Sequence, residues 1–255
     1  MFDEPFARRS SIVHSLDPRI RLVMAMIFAV VVAVLHQATL AGIALGLACA
    51  IFMVSNPPVR QALNRLLVVN TFVLFLWLIV PWTMPGELWL ALGPIKISRP
   101  GIELAWLVTL KSNALVLVFL ALVASMDAPT IGHALGRLGF PAKLVFLFLF
   151  TYRYVHVLAQ EWQRLLVAAR LRGFIPRTNM HTYRTLGNLL AMVFVNSYDR
   201  STRVYQAMRL RGFSGQFVSV RHFQANHGDL LTLVLWTSLV LVILIMDLFW
   251  EFIRV

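Results

Sequence analysis

A chain of 255 residues that is 59% hydrophobic, with a mean hydropathy of +0.76, is too apolar for a soluble domain. Its charged content of 13% is about half the usual share, and the polar residues cluster, leaving apolar runs long enough to span a bilayer. The net charge of +12 would suit nucleic acid, but in a polytopic membrane protein it belongs to cytoplasmic loops. The single cysteine, Cys49, sits in an apolar run, which excludes a disulfide framework and a thiolate metal site.

Residues 1–21 are polar and basic, with Arg8, Arg9, Arg19 and Arg21 beside the first apolar run and no cleavable signal. The membrane segments themselves are expected to direct insertion. Residues 22–54 are almost unbroken in apolar character. One crossing needs only about 20 residues, so this stretch predicts two spans with a turn at His36-Gln37-Ala38-Thr39. Asn56-Pro57-Pro58 stops the second span. A third span is expected over 66–80, ending at Pro81 and Pro85, and residues 86–100 read as a loop of mixed charge. A fourth span over 102–125 contains Lys111, expected to lie buried against other helices or to snorkel. From 126 to 225 the apolar runs shrink to 144–150 and 189–195, both too short to span. Between them lie long Arg-rich helical stretches. Val155, Leu158, Trp162, Leu165 and Ala169 form one apolar stripe, with Arg153, Gln160, Gln163, Arg164 and Arg170 opposite. A final span covers 229–250.

These readings predict an all-α polytopic membrane protein with about five transmembrane helices and long cytoplasmic amphipathic helices. The expected domains are an N-terminal bundle of four spans (1–125), a cytoplasmic helical domain (126–228) and a C-terminal span (229–255). Of the Lys and Arg residues, 13 fall between 126 and 228. The positive-inside rule therefore predicts a cytoplasmic N-terminus and a cytoplasmic block between the fourth and fifth spans.

Within that block one stretch occurs twice. Ala168-Ala169-Arg170-Leu171-Arg172-Gly173-Phe174 returns as Ala207-Met208-Arg209-Leu210-Arg211-Gly212-Phe213, 39 residues later with one difference in seven. Gly173 and Gly212 suit the C′ position of a helix, and Arg in the last turn suits the helix dipole. Capping requires glycine and a cation; it does not require the same Ala, Leu, Arg and Phe in register. Ala168 and Arg172 share a helix face, as do Ala207 and Arg211. A small residue permits close helix crossing, so the spacing predicts crossed helices that each present a guanidinium one turn beyond the crossing.

Energy and substrate chemistry are missing. There is neither a GxxxxGK[ST] phosphate loop nor a dinucleotide fingerprint, and the seven histidines include no HExxH and no i,i+4 pair. His222 and His227 are a loose pair in an expected loop. The acids are scattered. An intramembrane enzyme would need a polar catalytic cluster within the spans. A membrane-anchored nucleic-acid binder would use its basic helices on phosphates and lose affinity steeply with salt. Neither has a motif here.

The paired helix ends resemble the signature of the transmembrane coupling (T) component of energy-coupling factor (ECF) transporters, a class of ABC importer, and more narrowly its cobalt/nickel branch. Ser15-Leu16-Asp17-Pro18-Arg19, Tyr152-Arg153-Tyr154 with Glu161, and Ser197-Tyr198-Asp199-Arg200-Ser201 with Arg203-Val204-Tyr205-Gln206 carry the resemblance further. The family motif is Ala-Arg-Gly; here Leu171 and Leu210 stand in the Ala place. The resemblance implies a non-catalytic subunit, multi-pass in the bacterial inner membrane and without cofactor or metal site of its own. Its implied partners are two cytoplasmic ATP-binding-cassette ATPases and a separate membrane subunit that captures Co²⁺, with or without a small accessory membrane subunit, and no nucleic acid. It implies ATPase docking by Arg172 and Arg211, with Ala168, Gly173, Ala207 and Gly212 shaping the helix ends. Runs 144–150 and 189–195 would face the substrate-binding subunit. Cobalt transport, serving cobalamin biosynthesis, is the implied cargo function; nickel is the alternative.

Overall fold

The computed structural model describes residues 12–85, 88–92, 95–213 and 227–254. In chain order the elements are α1 (Ile12–Ser15), α2 (Pro18–Val34), α3 (Ala38–Ser55), α4 (Val59–Thr83), β1 (Leu88–Leu92), β2 (Ile95–Ser98), α5 (Arg99–Val118), α6 (Ala128–Arg137), α7 (Ala142–Leu171), α8 (Met180–Leu210) and α9 (His227–Arg254). A π-helical turn, Phe119–Val123, extends α5. The expectation of a helical polytopic protein holds. The chain forms two compact units, one of Leu135–Arg221 and one of Glu4–Ala134 with His222–Val255.

The second unit is a helical bundle whose breaks follow local chemistry. Asp17 caps α2 by accepting from the Arg19 N–H at 2.9 Å, and Pro18 occupies the first turn, where no N–H is needed. The expected turn between the first two spans falls at Leu35-His36-Gln37. Asn56 ends α3 in the left-handed region, at φ 45°, and Pro57 and Pro58 cannot continue it. Gly101 opens the way for α5 to approach α4, because a Cβ there would lie 2.8 Å from the Pro81 Cα.

α5 packs against both α3 and α4, and α2 packs against α9. Buried Ala41, Ala44 and Ala48 on α3 and Ala105, Ala114 and Ala121 along α5 and its π turn supply small side chains, the kind that let membrane helices approach closely. Phe28 of α2 stacks on Trp236 of α9 at 5.6 Å, and the Trp236 indole donates to the Met24 carbonyl at 3.2 Å. Asn70 and Asn113 exchange reciprocal amide bonds of 2.9 and 3.1 Å across α4 and α5.

Three charged groups have fates that sequence alone did not reveal. Lys111 donates to the Ala33 carbonyl at 2.9 Å, satisfying an orphan acceptor in the last turn of α2. Asp247 of α9, 1% exposed, accepts from the His36 and Gln37 N–H groups at 3.0 and 3.2 Å and thereby caps the entry to α3 from another helix. Arg21, beside the first apolar run in sequence, is buried and donates to the Ser125 hydroxyl.

Two expectations require correction. Residues 86–100, read as a loop, contain the antiparallel pair β1–β2, because short apolar and β-branched segments flank Gly93-Pro94. Runs 144–150 and 189–195, judged too short to span, lie inside helices of 30 and 31 residues. Tyr152-Arg153-Tyr154 continues α7 without a break, and the whole helix is then long and apolar enough to cross. By that measure the five candidate spans are Ala38–Ser55, Val59–Thr83, Arg99–Val123, Ala142–Leu171 and Gly228–Trp250. The number is as expected and the membership is not. α2, at 17 residues, stands at the short end of the spanning range, and α7 takes its place.

Candidate functional site

The unit around α7 and α8 carries the repeated motif. α7 has no buried residue and α8 only Thr182 and Leu189. The half-buried side chains of α7 include Leu158, Trp162, Leu165 and Ala169 from the expected stripe, whereas Val155 is exposed; Arg153, Gln160, Gln163, Arg164 and Arg170 are exposed as expected.

Three contacts establish how the two helices run. Near the end of α7, Leu165, Ala168 and Ala169 share a hollow of about 410 Å³ with His181, Thr185, Leu189 and Met192 of α8. Midway, Glu161 accepts from the Asn196 amide at 3.1 Å and lies 3.9 Å from the Arg200 guanidinium. Towards the start of α7, Phe146 meets Phe213, which follows α8, with ring centroids 5.9 Å apart. Positions rising along α8 therefore meet positions falling along α7. The helices form an antiparallel hairpin whose register is held by a carboxylate that is 21% exposed.

Both helices end in the same hydrogen-bonded turn. The Phe174 N–H donates to the Ala169 carbonyl at 3.1 Å, and Gly173 to Arg170 at 3.0 Å. In the second copy Phe213 donates to Met208 at 3.1 Å, and Gly212 to Arg209 at 3.0 Å. This is the Schellman arrangement, which needs a left-handed residue at C′. Gly173 and Gly212 supply it at φ 83° and 80°. Arg172 and Arg211 are the C-cap residues, with φ,ψ of −86°, 14° and −89°, 12°. Both are exposed. The repeat in sequence is thus a repeat in backbone geometry.

The two ends are far apart. Phe146 marks where α8 finishes along α7, and the helix from there to Arg172 is about 39 Å long at ~1.5 Å per residue. Ala168 and Ala207 were expected to let two helices cross tightly. Both are exposed, and in an antiparallel pair they lie near opposite ends, so neither makes such a crossing. Four-residue spacing specifies a shared face with Arg; it does not specify what that face meets. The adjacent leucines, taken from sequence as stand-ins for alanine, are 84% (Leu171) and 90% (Leu210) exposed.

Among the described residues, no group of three or more His, Cys, Asp or Glu is placed to hold a metal ion. The His222/His227 pair lies outside the residues whose side chains are described.

Comparison with known proteins places these features in a family. The family model described as CbiQ, cobalt transport protein, matches residues 9–221. The energy-coupling factor transporter transmembrane protein EcfT of Thermosediminibacter oceani is 25% identical over 221 residues, covering 81% of this chain and 82% of that protein. The protein of the same name from Bacillus subtilis is 23% identical over 218 residues, covering 81% and 82%. The nickel permease LarQ of Lactiplantibacillus plantarum is 28% identical over 111 residues, covering 44% of this chain and 38% of that protein.

Proposed function

Because the chain belongs to the CbiQ family of cobalt transport proteins, we propose that it is the energy-coupling membrane subunit of an ECF-type cobalt importer. It hydrolyses no ATP. Two cytoplasmic ATPases do so, and Arg172 and Arg211 each enter an acidic groove on one of them. Closure of the ATPase pair pulls on the two ends of the α7–α8 hairpin and is passed to a separate membrane subunit that holds Co²⁺. Residues 144–150 and 189–195 form the surface for that subunit; Leu144, Leu147, Phe148, Phe194 and Val195 are all exposed there.

The observation that carries this reading is the duplicated Arg-Gly end, exposed and identically capped at both ends of one hairpin. Guanidinium suits an acidic groove because it binds carboxylates bidentately and stays charged. Functionally, residues 1–125 and 229–255 form the membrane part and 126–228 the coupling part. The N-terminus is cytoplasmic. If α7 crossed the bilayer, the cluster from Arg164 to Arg184 at its far end would lie outside, against the positive-inside rule; α7 therefore rests at the cytoplasmic face.

Nickel as cargo is a second reading, favoured by the partial likeness to LarQ. Metal uptake by membrane vesicles carrying the assembled transporter, with Co²⁺ and Ni²⁺ in competition, separates the two. The docking test is co-purification of the ATPases with Arg172→Glu, Arg211→Glu, the double variant and an Arg170→Glu/Arg209→Glu control. Each single variant is expected to weaken assembly and the double to abolish it. Equal failure of the control would reduce the motif to bulk charge.

A further inference from the structure

Aligned on its 39-residue offset, the repeat reaches further back than the seven-residue core. Arg164 corresponds to Arg203, two turns before the C-cap arginine in each copy. At about 100° per residue, Arg164, Ala168 and Leu171 fall within roughly 60° of helix face, with Arg172 at its edge. Arg203, Ala207 and Leu210 do the same on α8. All six are exposed. Each helix end therefore shows the same stripe in the same order: a cation, then a small residue, then a leucine beside the C-cap arginine. Arg170 and Arg209 lie about 160° from the alanines, on the other side.

No requirement internal to the hairpin explains this stripe. Ala168 and Ala207 do not make a tight crossing, Arg164 and Arg203 bridge to no acid among the described residues, and the leucines cover nothing. On the first copy, Arg164, Val167, Ala168 and Leu171 border a shallow hollow of about 410 Å³ with Gln160 and Gln163. Lipid is a poor account of two such ends. The exposed positions of α4 run as a broad apolar face, including Leu67, Val68, Phe72, Leu74, Phe75 and Leu78, whereas Leu171, with Val167 one turn before it, and Leu210 are small apolar islands, each leucine held between two arginines. A bilayer also requires no sequence in duplicate. A receptor present in two like copies does.

We propose that the stripes Arg164/Ala168/Leu171 and Arg203/Ala207/Leu210 are the docking faces themselves. On each ATPase, an apolar pocket takes the leucine, the alanine lets the groove wall close on the helix backbone, and carboxylates on both sides take the two arginines. This rests on the coupling-subunit reading and adds to it that the leucines, not the cap arginines alone, hold the partner. The copies differ one turn further back, where Gln160 corresponds to Asp199, so the α8 end is the weaker attraction for an acidic groove.

The test measures binding of the purified ATPase pair to the full chain in nanodiscs, across a salt series. The variants sit on exposed positions, and an unchanged melting profile checks that each is folded. Leu171→Ala/Leu210→Ala is expected to weaken binding about tenfold or more at every salt concentration, because apolar burial is not screened. Arg164→Gln/Arg203→Gln should weaken it at low salt and flatten the salt dependence. Ala168→Leu/Ala207→Leu should weaken it by blocking close approach. Unchanged binding by the leucine pair, while Arg172→Glu/Arg211→Glu abolishes binding, would overturn the stripe and leave the coupling reading standing. Unchanged binding by the arginine pair would overturn the coupling reading itself. If the leucine pair binds the ATPases normally but loses affinity for bare lipid vesicles, the leucines face the membrane and the proposal fails.

Discussion

The bundle and the hairpin are built from similarly long helices and stabilised in opposite ways. The bundle has a continuous core through Phe28, Val32, Leu35, Val118, Leu122 and Val240, and some of its charges, Arg21 and Asp247 among them, are buried and bonded. The hairpin buries almost nothing. Its two helices touch along one narrow seam whose polar clasp is Glu161 with Asn196 and Arg200. Two helices with so little shared core gain too little burial to offset the entropy of ordering them alone. The bundle is thus stabilised from within, and the hairpin depends on what covers it. This division suits a coupling element, since a part held by its partners moves with them.

The contrast can be broken by substitution. The largest effect is expected from Arg172→Glu/Arg211→Glu, which should abolish ATPase assembly while leaving thermal stability of the isolated chain within error. Truncating one partner of a buried charge pair costs about 2–5 kcal/mol at each site. Loss of stability instead would mean the arginines serve the fold. Asp247→Ala should give the mirror image. It strands two part-buried N–H groups before α3, costing at most about 1–3 kcal/mol in each case, so the melting temperature should fall with ATPase affinity unchanged. Parallel loss of affinity would show that bundle and hairpin are not separable. Glu161→Ala should be smaller, about 1 kcal/mol from a half-buried hydrogen bond, and should appear as faster amide exchange along α7 and α8 only. Smallest is Gly173→Ala. Space is open around it, so only the left-handed backbone resists, at roughly 1–2 kcal/mol. It should loosen the docked end modestly, and a loss as large as that of the arginine pair would mean that the cap geometry, not the guanidinium, is recognised.

Much of the bundle was legible because its signals are local: long apolar runs, Asn-Pro-Pro after α3, Asp17-Pro18 before α2. The glycine caps of α7 and α8 were legible for the same reason. Asp247 was not, because its partners lie more than two hundred residues away and nothing near it marks a capping role. The β1–β2 pair was missed because a few apolar residues around a Gly-Pro dipeptide fit a loop equally well in sequence. The exposure of Ala168 and Ala207 was missed because periodicity assigns residues to a face without saying whether the face meets a helix, lipid or another protein. Arg164 and Arg203 were in plain sight, and extending the repeat alignment by four residues towards the N-terminus would have found them.

The account stands on two like ends meeting two like partners. A photo-reactive apolar residue placed in turn at 171 and 210, in the assembled transporter in its membrane, tests this directly. Both positions should cross-link to an ATPase subunit and to corresponding segments of it, while the same probe at 170 and 209 should not. Cross-links from 171 and 210 to lipid, or to the substrate-binding subunit alone, would contradict it.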